Sequence, residues 1–131
     1  AAGGTGTMYA WEPVPNYSAF GVYQGNNDAD GPMIWTGHRP AFLLVKCSTN
    51  AENWRIYDTT RDTFNPADKN LQPNDPSEEN TGSSYNIDFL SNGFKLRNTN
   101  PNLNSSGQTY IWASFAENPF GSSNTSPATA R

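Results

Sequence analysis

The sequence predicts an all-β fold: a two-sheet antiparallel jelly-roll sandwich with an extended N-terminal arm and a short C-terminal tail. Three observations lead there. The 131 residues include 17 Asn, 12 Ser and 12 Thr, whose side chains compete with helical backbone hydrogen bonds and suit turns and exposed strand faces. Hydrophobic residues make up 34% and aromatics 13%, so the core is built from few but large side chains. Short apolar stretches recur between turn residues with a period of two rather than 3.6. A mass of 14.4 kDa fits one domain.

The elements follow in order. Residues 1–18 form an arm or linker, opening on the small polar run AAGGTGT and continuing through Trp11-Glu12-Pro13-Val14-Pro15. The domain proper spans 19–120, with strands expected at 19–24, 33–36, 41–47, 54–58, 86–90, 93–97 and 109–116. Alternation supports several of them, as in Phe20, Val22 and Gln24 against Ala19, Gly21 and Tyr23. Asn92-Gly93 between two apolar runs predicts a hairpin, because both residues tolerate positive φ. Residues 59–84 hold four Asn, three Pro and the adjacent Glu78 and Glu79, and read as a long exposed connection where binding is sought first. Residues 121–131, GSSNTSPATAR, form the tail. Seven short strands in roughly 100 residues favour a sandwich or jelly roll over a barrel.

Charge and composition exclude several classes. A net charge of −4 with eight Lys and Arg does not suit nucleic acid, which needs clustered cations. The longest apolar run, residues 41–45, is far shorter than the roughly 20 residues of a membrane-spanning helix, so no membrane insertion is expected. The single Cys47 forms no internal disulfide. The chain opens on Ala1 rather than Met, which leaves its natural start open.

No catalytic set is expected. His38 is the only histidine, so any Ser-His or Cys-His mechanism passes through it, and Arg39-Pro40 directly after it points to a structural role at a strand entry. One Cys and one His do not make a zinc site. Asn26, Asp28 and Asp30 are spaced like half of a calcium loop, but the twelfth position is Gly37 where a bidentate Glu is required, so they read as a polar turn with no metal. Asp58, Asp62 and Asp68 surround the Arg61 turn, where pairing with Arg55 or Arg61 is the simpler role. Arg61 is expected to grip Asp58 or Asp88 and anchor the long connection. Among the six residues Trp11, Trp35, Trp54, Trp112, Tyr57 and Tyr110, about two thirds are expected in the core. No cofactor is implied. The candidate binding residues are Tyr17, Trp35, Phe64, Asn74, Glu78 and Glu79, with Asp58, Arg61, Asp88, Asn92 and Gly93 structural.

Residues 22–120 carry a set of motifs: Tyr23-Gln24-Gly25-Asn26, Gly37-His38-Arg39-Pro40-Ala41-Phe42, Trp54-Arg55-Ile56-Tyr57-Asp58 with Arg61, Leu71 with Asn74, the run DFLSNGFKL at 88–96, Asn104-Ser105-Ser106-Gly107-Gln108-Thr109-Tyr110-Ile111 and Phe115-Ala116-Glu117-Asn118-Pro119-Phe120. In order and spacing this stretch resembles a concanavalin-like jelly-roll domain of bacteriophage virion surface proteins, especially tail fibres. His38 and Cys47 depart from the usual pattern, which has an aromatic and a polar or basic residue there. The resemblance implies a non-enzymatic module on the virion surface, an extracellular particle, in contact with other virion proteins and forming a homo-oligomer, a trimer by resemblance. The expected function is recognition of host-surface carbohydrate through the loop at 64–85. The alternative is a capsid or tail decoration (cement) protein acting through subunit contacts, and the third reading is a polysaccharide-degrading enzyme or its accessory domain.

Overall fold

A computed structural model describes residues 4–121. Seven strands form two antiparallel sheets: β1 (Ser18–Gln24), β2 (Met33–Trp35), β3 (Pro40–Cys47), β4 (Arg55–Asp58), β5 (Ile87–Leu90), β6 (Gly93–Leu96) and β7 (Thr109–Ala116). One sheet has the order β1-β7-β3-β4 and the other β2-β6-β5. The expected strands are all present, with no end shifted by more than one residue. The arm gives up Ser18 to β1, β4 starts at Arg55 rather than Trp54, and a 3-10 turn covers Ser83–Tyr85. The C-terminal tail beyond Gly121 lies outside the described residues. No helix among them is long and apolar enough to cross a membrane.

Alternation decides which face of each strand is buried. Tyr23 on β1, Leu43 and Val45 on β3, Tyr57 on β4, and Tyr110 and Trp112 on β7 turn inward. They meet Ile34, Ile87, Phe89, Phe94 and Leu96 of the second sheet in one apolar cluster. Within the first sheet Tyr23 stacks on its cross-strand partner Tyr110 at 5.0 Å, and Phe94 joins the layers by packing edge-on against both Tyr23 and Trp112. The Tyr23 hydroxyl donates to the Leu103 carbonyl at 2.8 Å, so its buried oxygen is satisfied.

The β5–β6 hairpin forms between the expected strand ends, Leu90 and Gly93, but without the positive φ that the Asn-Gly pair suggests. Leu90 pairs with Gly93, so the two-residue loop is Ser91-Asn92 and Gly93 is the first residue of β6. Neither Asn92 nor Gly93 has positive φ. Glycine is required at 93 for space: a Cβ there falls 2.0 Å from the Ile34 carbonyl oxygen on β2.

The long connection is largely exposed, as its composition suggests, but it is pinned to the sheets at several points. Ala67 and Asn70 are fully buried. Backbone pairs tie Ile56 to Leu71, Ala67 to Ile87 and Asn70 to Asn80, and the Asn65 side chain pairs with the backbone of Phe89 in both directions, at 2.8 and 2.9 Å. The polar residues that suggested exposure also supply side-chain substitutes for ladder hydrogen bonds.

Candidate functional site

The two sheets differ in their outer faces. On the three-stranded sheet this face carries Asp88 and Lys95, joined by Arg97 and Asp30: Arg97 bonds Asp30 at 2.9 Å and Asp88 at 3.3 Å, while Lys95 reaches Asp30 at 3.1 Å. On the four-stranded sheet, pairing places Phe20 and Val22 of β1 beside Ala113 and Ile111 of β7, with Phe42 and Leu44 of β3 and Ile56 of β4 continuing the row. Lys46 is the one cation in that row, and its Nζ folds back to the Cys47 and Asn50 carbonyls. Val22 is 67% exposed. At one end of the face Tyr17 stacks on Phe120, and Tyr17, Phe20 and Phe42 all pack edge-on against Phe115.

The arm lies along the same face. Trp11 shares a cavity of about 280 Å³ with Phe20, Leu44, Trp54 and Ile111. Trp54, expected in a strand, precedes β4 and joins this outer surface. Of the six aromatics expected to be mostly core, only Trp112, Tyr57 and Tyr110 are buried. This partly exposed apolar surface is the candidate interaction face.

A second opening of about 460 Å³ is lined by Pro13, Pro15, Asn16, Ser18, Trp35, Thr36, Gly37 and His38. Trp35 is 64% exposed, and its indole rests against Gly37, whose φ of +83 suits glycine. His38 is buried, with Nε2 bonded to the Ser114 hydroxyl at 2.9 Å. Ser114 is also fully buried, so this Ser-His pair offers no accessible nucleophile. Burial lowers the His38 pKa and favours the neutral ring.

The remaining candidates are dispersed, and several are already occupied. Phe64 stands 81% exposed on the long connection, and Glu78 is exposed near it in sequence. Asn74 is not free for a ligand: its oxygen accepts from the Trp54 N–H at 2.9 Å and its nitrogen donates to Asn53 at 2.9 Å. Glu79 is an ion-pair partner of Arg61, which bridges Asp58 Oδ2 and Glu79 Oε2 at 2.5 Å each. Asp88 is not an Arg61 partner, because Arg97 takes it. Burial alone would raise the Asp58 pKa, but hydrogen bonds from the Arg61 side chain and backbone outweigh it and hold the carboxyl below its ordinary value. That is the reverse of what a glycosidase general acid needs.

Arg55 and Asp62 also find other partners than expected. Buried Arg55 donates to the amide oxygens of Asn70 at 2.8 Å and Asn102 at 3.2 Å and lies 4.1 Å over the Tyr85 ring. Asp62 accepts from the backbone of Asp68 and Lys69 at 2.7 and 2.9 Å. In the Asn26–Asp28–Asp30 turn, the Asn26 and Asp28 side-chain oxygens each cap the N–H two residues on, and Asp30 pairs with the two cations Lys95 and Arg97. Among the described residues no group of three or more His, Cys, Asp or Glu is arranged to hold a metal.

Residues 3–119 match the family described as Domain of unknown function (DUF7483). The chain belongs to this family. The DUF7483 match begins at residue 3, so the arm with Tyr9 and Trp11 lies inside the family's span. No curated protein and no solved structure matches the chain.

Proposed function

We propose that this DUF7483 chain is a non-enzymatic structural module of a bacteriophage virion surface, folded as a jelly-roll sandwich and built into the particle through subunit contacts. The observation that carries this reading is the apolar outer face of the β1-β7-β3-β4 sheet, where Val22, Trp11 and the Tyr17, Phe115 and Phe120 cluster present aromatic and aliphatic surface to solvent. Burying such a surface in a neighbour is favourable at roughly 25 cal/mol per Å². The resemblance to tail-fibre-type domains supports the virion setting, and the buried Ser-His pair and the ion-paired Asp58 and Glu79 support a role without catalysis.

A second reading is recognition of host-surface carbohydrate. It is favoured by exposed Trp35 beside the Asn16 and Thr36 lining of its pocket, since an indole face with nearby polar groups suits a sugar ring. The loop at 64–85 is a poorer site than its sequence suggests, because Asn74 and Glu79 are committed internally.

One experiment separates the two. Labelled full-length chain is offered to virions assembled without it and to intact host cells, alongside Val22→Lys and Trp35→Ala variants. Virion binding lost in Val22→Lys and kept in Trp35→Ala supports the structural reading. Cell binding abolished by soluble surface polysaccharide and by Trp35→Ala supports the second. Binding to neither overturns both.

A further inference from the structure

The groove on the outer face of the four-stranded sheet is filled by this chain's own sequence, but only loosely. Trp11 enters the cavity bounded by Phe20, Leu44, Trp54 and Ile111. Tyr9 sits beside Leu44, Trp54, Ile56 and Pro73 and stacks on Trp11 at 6.0 Å. Among the described residues no backbone hydrogen bond joins positions 4–13 to a strand, and the one hydrogen bond to that stretch runs from Ser18 Oγ to the Glu12 carbonyl. Tyr9 and Trp11 stay 73% and 63% exposed even so. Beyond them the segment turns through Pro13, Val14, Pro15 and Asn16, which holds φ at +62, before Val14 closes onto Ser18.

We propose that this groove is the seat of the arm of a second copy of the chain, so that neighbouring copies are joined by exchange of the segments carrying Tyr9 and Trp11. The inference rests on the structural reading above and names the partner. The groove's fit to these two rings identifies the occupant. A segment that docks on its own sheet docks on the same sheet of a neighbour with the same contacts, so exchange sacrifices little. It gains whatever outer face the approach of the second body covers, including Val22, four residues along β1 from the Ser18 anchor. At low concentration the tethered arm has the advantage. At the high local concentration of an oligomer on a particle the arms of neighbours compete on equal terms.

Two full-length variants test this by complementation. Tyr9→Ala with Trp11→Ala blunts the arm and leaves the groove intact, and Ile111→Lys charges the groove and leaves the arm intact. Unchanged far-ultraviolet circular dichroism and a cooperative melting transition show that each is folded. Sedimentation velocity is then run over a wide concentration range. Exchange predicts that the native chain associates, that each variant alone stays at the mass of one chain, and that their equimolar mixture recovers a complex of two chains. A mixture that stays monomeric overturns the exchange. Blunted-arm chains that associate as strongly as native ones overturn it too, while leaving the structural reading standing through face-to-face contact. A native chain that stays monomeric at every concentration and is not retained by virions overturns both.

Discussion

Arg61→Ala tests how the long connection is held. The guanidinium joins Asp58, at the end of β4, to Glu79, 18 residues after Arg61 itself, through two contacts of 2.5 Å between side chains that are 23–34% exposed. Exposed ion pairs contribute about 0.2–1 kcal/mol each, and two short, partly buried ones sharing one guanidinium belong at the upper end, about 1–2 kcal/mol together. With an unfolding entropy of about 2.1 cal/mol/K per residue this lowers the melting temperature by roughly 4–7 °C. The backbone N–H of residue 61, bonded to Asp58 Oδ1 at 2.7 Å, survives the substitution. The loss depends on pH. Asp58 titrates below its ordinary value in the folded state, so its stabilisation is fully present above the unfolded carboxylate pKa and disappears as pH falls through the folded one. Differential scanning calorimetry at neutral pH and near pH 2 is the assay. An unchanged melting temperature at neutral pH, or a deficit that persists undiminished in acid, refutes the reasoning.

Three further predictions concern the frame that positions the two faces. Gly93→Ala pushes a methyl against the Ile34 carbonyl oxygen and costs about 3 kcal/mol or more by forcing β2 from β6, whereas Asn92→Gly changes thermal stability by only a few tenths of a kcal/mol because no positive φ is relieved there; equal effects contradict the assignment of the turn to Ser91-Asn92. Asn104→Ala removes a buried hub that accepts from the Asn26 N–H and donates to the Asp28 and Asn98 carbonyls, and lowers stability by about 3 kcal/mol in urea titration. His38, with its pKa lowered by burial, contributes stability that is complete above its unfolded pKa and is lost as pH falls toward the folded one, so melting temperature declines on acidification below about pH 6.5 and His38→Gln flattens that decline.

Much of this architecture is readable from the residues. Short apolar stretches between turn residues locate all seven strands, and period-two alternation supports several of them because one face of the strand is covered by the second layer. The Asp58–Arg61 pair is also readable, since both lie in one turn. Glu79 is not, because its approach to Arg61 depends on how the connection at 59–84 folds back, and that path is set by the Ile56–Leu71 and Asn70–Asn80 pairings. The hairpin at Asn92-Gly93 is readable too, but the reason for its glycine is not: Gly93 is required by the Ile34 carbonyl packed against it, a tertiary contact, and not by a positive φ. The apolar outer face has a sequence sign of its own. The run Ala41-Phe42-Leu43-Leu44-Val45 is apolar at successive positions, the pattern of a strand covered on both faces: Leu43 and Val45 face the core, Phe42 and Leu44 the groove.

The most direct test of the central claim, that the outer face of the four-stranded sheet is the contact surface, is oxidative footprinting of the full chain read by mass spectrometry, dilute and assembled. Tyr9, Trp11 and Trp54 are predicted to lose reactivity on assembly while Trp35, on the opposite sheet, keeps it. Protection of Trp35 with Trp11 and Trp54 left reactive contradicts the claim.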